Sequence, residues 1–176
     1  MIEPGQREWG RCYFIVTEHP VEGVIREGRV LKGKERPRID IFVENSEPTP
    51  RATFVFEAKR FYPKSDETKY VGEEGLGTLL NGTKGRQDRA AGMLGYVQVG
   101  SIPAVKLAVE AKLTGDRTAH GLDPSGEVWT QVSLDARIPA TFVSRHNRTS
   151  GLPPLAVYHS FLPCCAAALP ASPSTP

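Results

Sequence analysis

Cysteine is scarce in this chain of 176 residues: Cys12 stands alone, and Cys164 and Cys165 are adjacent. An odd count with a vicinal pair is a poor disulfide framework, and no CxxC spacing offers a thiolate zinc site. A reducing compartment, the cytoplasm, is the expectation. Long apolar runs are also lacking. No stretch reaches the roughly 18 apolar residues of a membrane helix, so no membrane association is expected. Met1-Ile2-Glu3-Pro4-Gly5-Gln6 shows no basic region leading into an apolar run, so no signal peptide is expected. Neither sign of charge dominates: 22 Lys and Arg face 20 Asp and Glu, for a net +2. That excludes nucleic-acid binding by bulk charge, but a local basic surface is still open to the chain. Glycine-rich nucleotide loops are missing as well. The run Gly72-Glu73-Glu74-Gly75-Leu76-Gly77 is glycine-rich but acidic, the wrong charge for cradling phosphates.

What is present describes an ordinary folded protein. Hydrophobic residues make up 39% and charged residues 24%, which argues against wholesale disorder. The length suits one domain, expected over residues 1–169, with a disordered Pro/Ser-rich tail at 170–176. Arg11 to Val16 is a short mixed run, interrupted by Glu18-His19-Pro20, that reads as neither helix nor strand. Strands are predicted at Gly28–Gly33, Arg38–Val43 and Thr53–Lys59, joined by short polar connectors into an antiparallel meander. Helical spacing of Tyr70, Leu76, Leu79 and Leu80 predicts a helix over 66–81, with Gly82 as its stop. Ala90, Met93, Leu94 and Val97 predict a second helix over 86–99. Ser101 is placed to cap a third, with Pro103 in its first turn and a body over 104–113. Strands at 128–134, 140–144 and 155–161 close the chain. The fold class is therefore α/β.

The chemistry-bearing segment is Arg36-Pro37-Arg38-Ile39-Asp40-Ile41, followed by Phe54-Val55-Phe56-Glu57-Ala58-Lys59-Arg60-Phe61. Alternation along a strand puts Glu57 and Lys59 on one face. Phe54, Phe56 and Ala58 take the other, where they are expected to pack as core. The chain between Asp40 and Glu57 holds the end of one strand, a turn and most of the next, so the two acids converge if the strands pair. Two carboxylates suit a hard divalent cation such as Mg2+ or Mn2+, which takes one or two of them plus water and phosphate oxygens. Such a cation lowers the pKa of bound water and stabilises charge on a phosphate. A lysine beside it can position the water and offset transition-state charge.

This arrangement resembles the PD-(D/E)xK nuclease superfamily, which includes many restriction endonucleases. Asp40 matches the first acid, and Glu57-Ala58-Lys59 matches the E-x-K triplet. The match departs from the pattern in one respect: Ile39 precedes Asp40, and Pro37 lies further upstream. The resemblance implies a restriction-endonuclease-like central mixed β-sheet flanked by helices. It implies Asp40 and Glu57 as metal ligands, Lys59 as the group assisting water attack, and Mg2+-dependent hydrolysis of DNA, in a defence or repair setting. A helix after the third strand, expected at 86–99, often adds a polar residue in that superfamily. Gln87 and Gln98, about three helical turns apart, are the candidates, with Gln87 nearer the helix start. Many members carry a glutamate on an opening helix, for which Glu8, Glu18 and Glu22 are available.

Basic residues cluster near the acids. Arg36, Arg38, Arg60 and Arg86 are candidate DNA contacts, since Lys and Arg neutralise the phosphate backbone. Arg26, Arg29, Lys32 and Lys34 extend the same stretch. Lys84, Arg86 and Arg89 are expected at a helix start, itself favourable for phosphate. His146 and His159, on late strands, fit core or surface positions better than a second site, and a Cys164/His159 nucleophilic pair has little to recommend it. DNA recognition would come from a homodimer or a partner subunit, since the chain has little room for a recognition domain. The alternatives are a catalytically silent nuclease-fold domain that binds nucleic acid or a partner protein, and an unrelated β-rich domain in which Glu57 and Lys59 form a surface ion pair.

Overall fold

The computed structural model describes residues 13–23, 25–26, 28–45, 51–62, 66–138, 140–148 and 151–164. The expected tail at 170–176, Glu8, Cys12 and Cys165 lie outside these residues. The strands are β1 (Tyr13–Pro20), β2 (Ile25–Arg26), β3 (Arg29–Val30), β4 (Arg38–Asn45) and β5 (Ala52–Phe61). They continue with β6 (Ala90–Val97), β7 (Thr130–Val132), β8 (Thr141–His146) and β9 (Leu155–Pro163). The α-helices are α1 (Asp66–Val71), α2 (Leu76–Leu80) and α3 (Ile102–Gly115). Seven strands form one mixed sheet in the order β1-β4-β5-β6-β9-β8-β7, and β2 and β3 form a separate hairpin. The architecture is a mixed α/β fold with few helices. None of the described helices is long and apolar enough to cross a membrane.

The N-terminal half of the sheet is an antiparallel meander of three strands, but only β4 and β5 are members that the pattern predicts; the 28–33 strand is not in this sheet, and β1 takes the third place. The unassigned opening run is β1, which pairs with β4 from Tyr13↔Asn45 to Pro20↔Arg38. Its continuation through Glu18-His19-Pro20 is tolerated because β1 is an edge strand, where a proline deprives no neighbouring strand of a bond. The predicted 28–33 strand shrinks to the two residues of β3 and a 3-10 turn at Gly33–Glu35.

The largest correction concerns 86–99. The predicted helix is strand β6, paired in parallel with β5 on one side and β9 on the other. A central parallel strand is buried on both faces and reads as a continuous apolar run, so its spacing mimics a helical stripe. Its glycines serve the strand. A Cβ on Gly92 would collide with the Phe56 ring, and one on Gly95 would lie 2.7 Å from Phe161 and 2.9 Å from Phe61. Phe161 and Phe61 are themselves buried, so neither can swing aside. Gly95→Val is expected to destabilise the protein by about 3 kcal/mol, the upper end of ordinary overpacking, read as a lower denaturant midpoint with an unchanged slope.

Parallel pairing of β5 and β6 requires a crossover, which carries α1 and α2. The predicted single helix over 66–81 is broken between them by Gly72 and Gly75. A Cβ on either would strike backbone carbonyl oxygens of residues 68–70. Helix α3 follows the prediction closely: Ser101 Oγ accepts from the Ala104 N–H at 3.4 Å, and Pro103 sits in the first turn.

Burial also reverses the expected orientation of β5. Val55, Glu57 and Phe61 face the buried side, whereas Phe54, Phe56 and Ala58 are only partly buried. The inner face packs Val55, Met93, Val97, Val157 and Phe161 against Tyr70 and Val71 of α1, Leu76 and Leu79 of α2, and Val109 and Leu113 of α3. Glu57 and Lys59 thus share a face as predicted, but it is the core-facing one.

Candidate metal centre

Strands β4 and β5 are in register from Asn45↔Ala52 to Ile41↔Phe56, where their ladder ends. On its other edge β4 stays paired with β1 down to Arg38. The two strands therefore part at Asp40. The Asp40 carboxylate fills the gap, accepting the Ala58 N–H through Oδ2 at 2.6 Å. Ala58 lies between Glu57 and Lys59, so this one bond ties the first acid to the E-x-K triplet. It uses one of the two Asp40 oxygens and fixes the direction of the other.

Glu57 is 2% exposed. A buried carboxylate must be paired, because desolvating an isolated charge is very costly. Two ammonium groups supply the pairing. Lys59 Nζ donates to Oε1 at 2.5 Å, and Lys84 Nζ donates to Oε2. Lys84 is nearly as buried as its partner, whereas the Lys59 side chain is 24% exposed. The Glu57–Lys59 pair is therefore not the surface ion pair of the bland alternative. Lys59 reaches from the buried carboxylate out to solvent.

What it reaches is a cleft of about 720 Å3 at the C-terminal ends of β5 and β6, lined by Lys59, Arg60, Tyr62, Asp66, Lys69 and Gln98 together with Ala58. Three cationic side chains and one carboxylate make it basic. Asp66 is itself engaged, accepting the Tyr62 N–H.

The other sequence candidates fall into two groups. Gln98 follows β6 directly, its N–H donating to the Phe61 carbonyl at 3.1 Å, and it lines the cleft. Gln87 is exposed in the turn before β6. Its neighbour Asp88 accepts from Thr53 Oγ1 at 3.2 Å, which places that turn beside the start of β5. The two glutamines bracket a strand instead of sharing a helix face, and only Gln98 is brought to Lys59. Arg60 is exposed and lines the cleft. Arg36 and Arg38 pair with Glu22 at 3.5 Å and Glu18 at 3.9 Å. These acids neutralise part of the basic stretch and lie on β1 and just after it, not on an opening helix. Arg86 is exposed in the turn that also carries Gln87. No helix begins at Lys84, Arg86 or Arg89, so the expected helix-start phosphate site is not formed there.

Lys84 sits on Glu57, a place the sequence pattern does not predict for it. Nothing local marks it. It lies in a turn-rich connection, and its partner is brought close only by the sheet.

Asp40 has Oδ1 outside the Ala58 bond, and Glu57, whose two oxygens each accept from an ammonium group, would have to share them with any cation placed beside Lys59. Among the described residues no group of three or more His, Cys, Asp and Glu converges. A cation here would rest on two carboxylates and complete its shell with water and phosphate oxygens, as Mg2+ commonly does.

His146 and His159 form a separate buried chain. Tyr70 Oη lies 3.1 Å from His159 Nδ1, and His159 Nε2 lies 2.8 Å from Ser144 Oγ. Ser144 Oγ lies 2.6 Å from His146 Nε2, and His146 Nδ1 lies 2.7 Å from the His120 carbonyl, to which it donates. Burial pushes His159 down to about 3 and His146 down to about 4, so both are neutral near pH 7. Burial also raises the Tyr70 hydroxyl, which stays protonated. The chain satisfies polar groups inside the core, and Cys164 is exposed.

No protein-family model matches the chain, and neither a curated protein nor a solved structure matches it.

Proposed function

We propose that the protein is a metal-dependent nuclease that hydrolyses phosphodiester bonds in DNA, with a restriction-endonuclease-like core. The observation that carries this reading is the hydrogen bond from Ala58 N–H to Asp40 Oδ2 at 2.6 Å. It unites the D and E-x-K elements where two strands part. In this reading Asp40 and Glu57 hold Mg2+ or Mn2+, which when bound supplies an activated water and stabilises charge on the phosphate. Lys59 presents its ammonium between Glu57 and the cleft, where it orients the attacking water and offsets negative charge on the phosphate. Arg60, Lys69 and Gln98 receive the nucleic-acid backbone in the cleft.

Two further features support the reading. The order of three antiparallel strands, a helical crossover and a parallel strand agrees with the mixed sheet that the resemblance implies. The cleft also lies outside the carboxyl ends of two parallel strands, where open α/β sheets bind ligands. We assign sequence recognition to a second copy or a partner subunit.

The test uses plasmid and linear DNA incubated with the purified protein and Mg2+ or Mn2+, then with a chelator. Nicking or cutting that the chelator stops is expected. DNA retardation without cutting at any metal concentration would replace this reading with a silent DNA-binding domain. Cutting that persists in chelator would remove the metal from the account.

A further inference from the structure

We propose that Arg148 is a positioning residue that acts through Lys84 on Glu57. Arg148 follows β8 and is largely buried. A guanidinium has five N–H donors, and here all five are used on backbone carbonyls. Nε donates to Pro153 at 2.7 Å, Nη1 to Leu79 at 3.2 Å and Gly85 at 3.0 Å, and Nη2 to Arg86 at 3.2 Å and Asp88 at 2.7 Å. Four of these acceptors bracket Lys84, one before it and three after.

Apart from Arg148, the bracketed segment is held by local bonds, among them Thr83 N–H to Asn81 Oδ1 at 2.8 Å, and by Thr53 Oγ1 on Asp88 at 3.2 Å. It runs from the end of α2 to the start of β6 and contains Gly82 and Gly85, both with positive φ. Such backbone is easily reshaped, so an unsupported ammonium on it would sample many positions. The Lys84 N–H bonds to the Thr78 carbonyl at 2.9 Å and the Asp88 N–H to the Gly85 carbonyl at 3.1 Å. The Arg148 fork adds the only charged donors among the described residues that bind these carbonyls. With its donors saturated, Arg148 has none left for a ligand, and its effect must pass through the segment it grips.

The consequence for the site is specific. Lys84 occupies Oε2 of Glu57 and Lys59 occupies Oε1. The carboxylate is thereby held in one orientation, and Lys84 opposes any cation that shares it. Weakening the clamp frees Lys84, exposes it to solvent and relieves that opposition.

Two readouts test this, and the first is independent of the nuclease reading on which the second rests. Amine acylation followed by peptide mass spectrometry is expected to label Lys84 slowly in the wild type. In Arg148→Lys and in Arg148→Gln, Lys84 labelling rises several-fold while Lys69 and Lys106 label at their wild-type rates. Slow Lys84 labelling in either folded variant overturns the proposal. The second readout is the Mn2+ dissociation constant. Lys84→Met is expected to tighten it about tenfold by removing a like charge at short range. Arg148→Lys is expected to tighten it a few-fold, and to change nothing in the Lys84→Met background. An equal change in both backgrounds overturns the coupling. Absence of Mn2+ binding in every protein would remove the metal reading, while the labelling result would still decide the role of Arg148.

Discussion

Lys59→Ala is expected to lower the Mg2+-dependent cleavage rate by roughly a thousandfold while leaving the protein folded and able to bind the metal. The size follows from removing one preorganised cation aimed at a reacting phosphate, which costs about 10²–10³ in rate where such groups have been removed. Folding survives because Glu57 keeps Lys84 as its partner. Metal binding survives because the two carboxylates are untouched. Single-turnover cleavage of a labelled duplex measures the loss. A variant that cuts at the wild-type rate would remove Lys59 from the chemistry and leave it as an ion-pair partner only. Glu57→Ala makes a poorer probe, because it strands two lysines beside a vacated buried site, and breaking such pairs typically costs about 3–5 kcal/mol.

Acidification from pH 7.5 to pH 5 is expected to remove about 4 kcal/mol of stability through His146 and His159. Both are held neutral by burial, with folded values of about 4 and about 3 against an ordinary 6.5. Above pH 6.5 neither the folded nor the unfolded state binds a proton at these rings, so they contribute no slope. Below it the unfolded state takes up protons that the folded state refuses, and stability falls until the pH reaches the folded values. At pH 5 each ring contributes about 2 kcal/mol, which is 1.5 pH units below 6.5 at 1.36 kcal/mol per unit. His120, lowered by partial burial, acts in the same direction. Asp88, raised by burial, acts in the opposite direction. Denaturant titration at the two pH values measures the difference, and His146→Gln should reduce it by about half. A stability independent of pH across this window would mean that the Tyr70–His159–Ser144–His146 chain opens to water.

The local signals in the sequence lead to the site, and the long-range ones do not. Glu57, Lys59 and Asp40 are legible because a strand alternates strictly and a short connector leaves one pairing for the meander. Ser101 is legible because a cap acts over three residues. Strand β6 is not, because a strand buried on both faces has no alternation to read. Its Ala90-Ala91-Gly92-Met93-Leu94-Gly95 run mimics a helical stripe, which is what puts Gln87 near a helix start and Gln98 on the same face. The burial of Glu57 is equally hidden. Phe54 and Phe56 suggest that their face is the core, yet the helices pack on the other. The turn that carries Lys84 and the arginine that clamps it lie far apart in sequence, and only the sheet order brings them together.

The central claim is that Asp40 and Glu57 jointly hold one divalent cation. Mn2+ binding to the metal-free protein, followed by electron paramagnetic resonance, tests it most directly, with Asp40→Asn as the comparison. Asparagine can still accept the Ala58 N–H through its amide oxygen, so the variant removes the charge and keeps the bond. The account predicts one Mn2+ per chain in the wild type and affinity weakened at least tenfold, by about 1.4 kcal/mol or more, in Asp40→Asn. Equal Mn2+ binding by the two proteins, or none by the wild type, would contradict it.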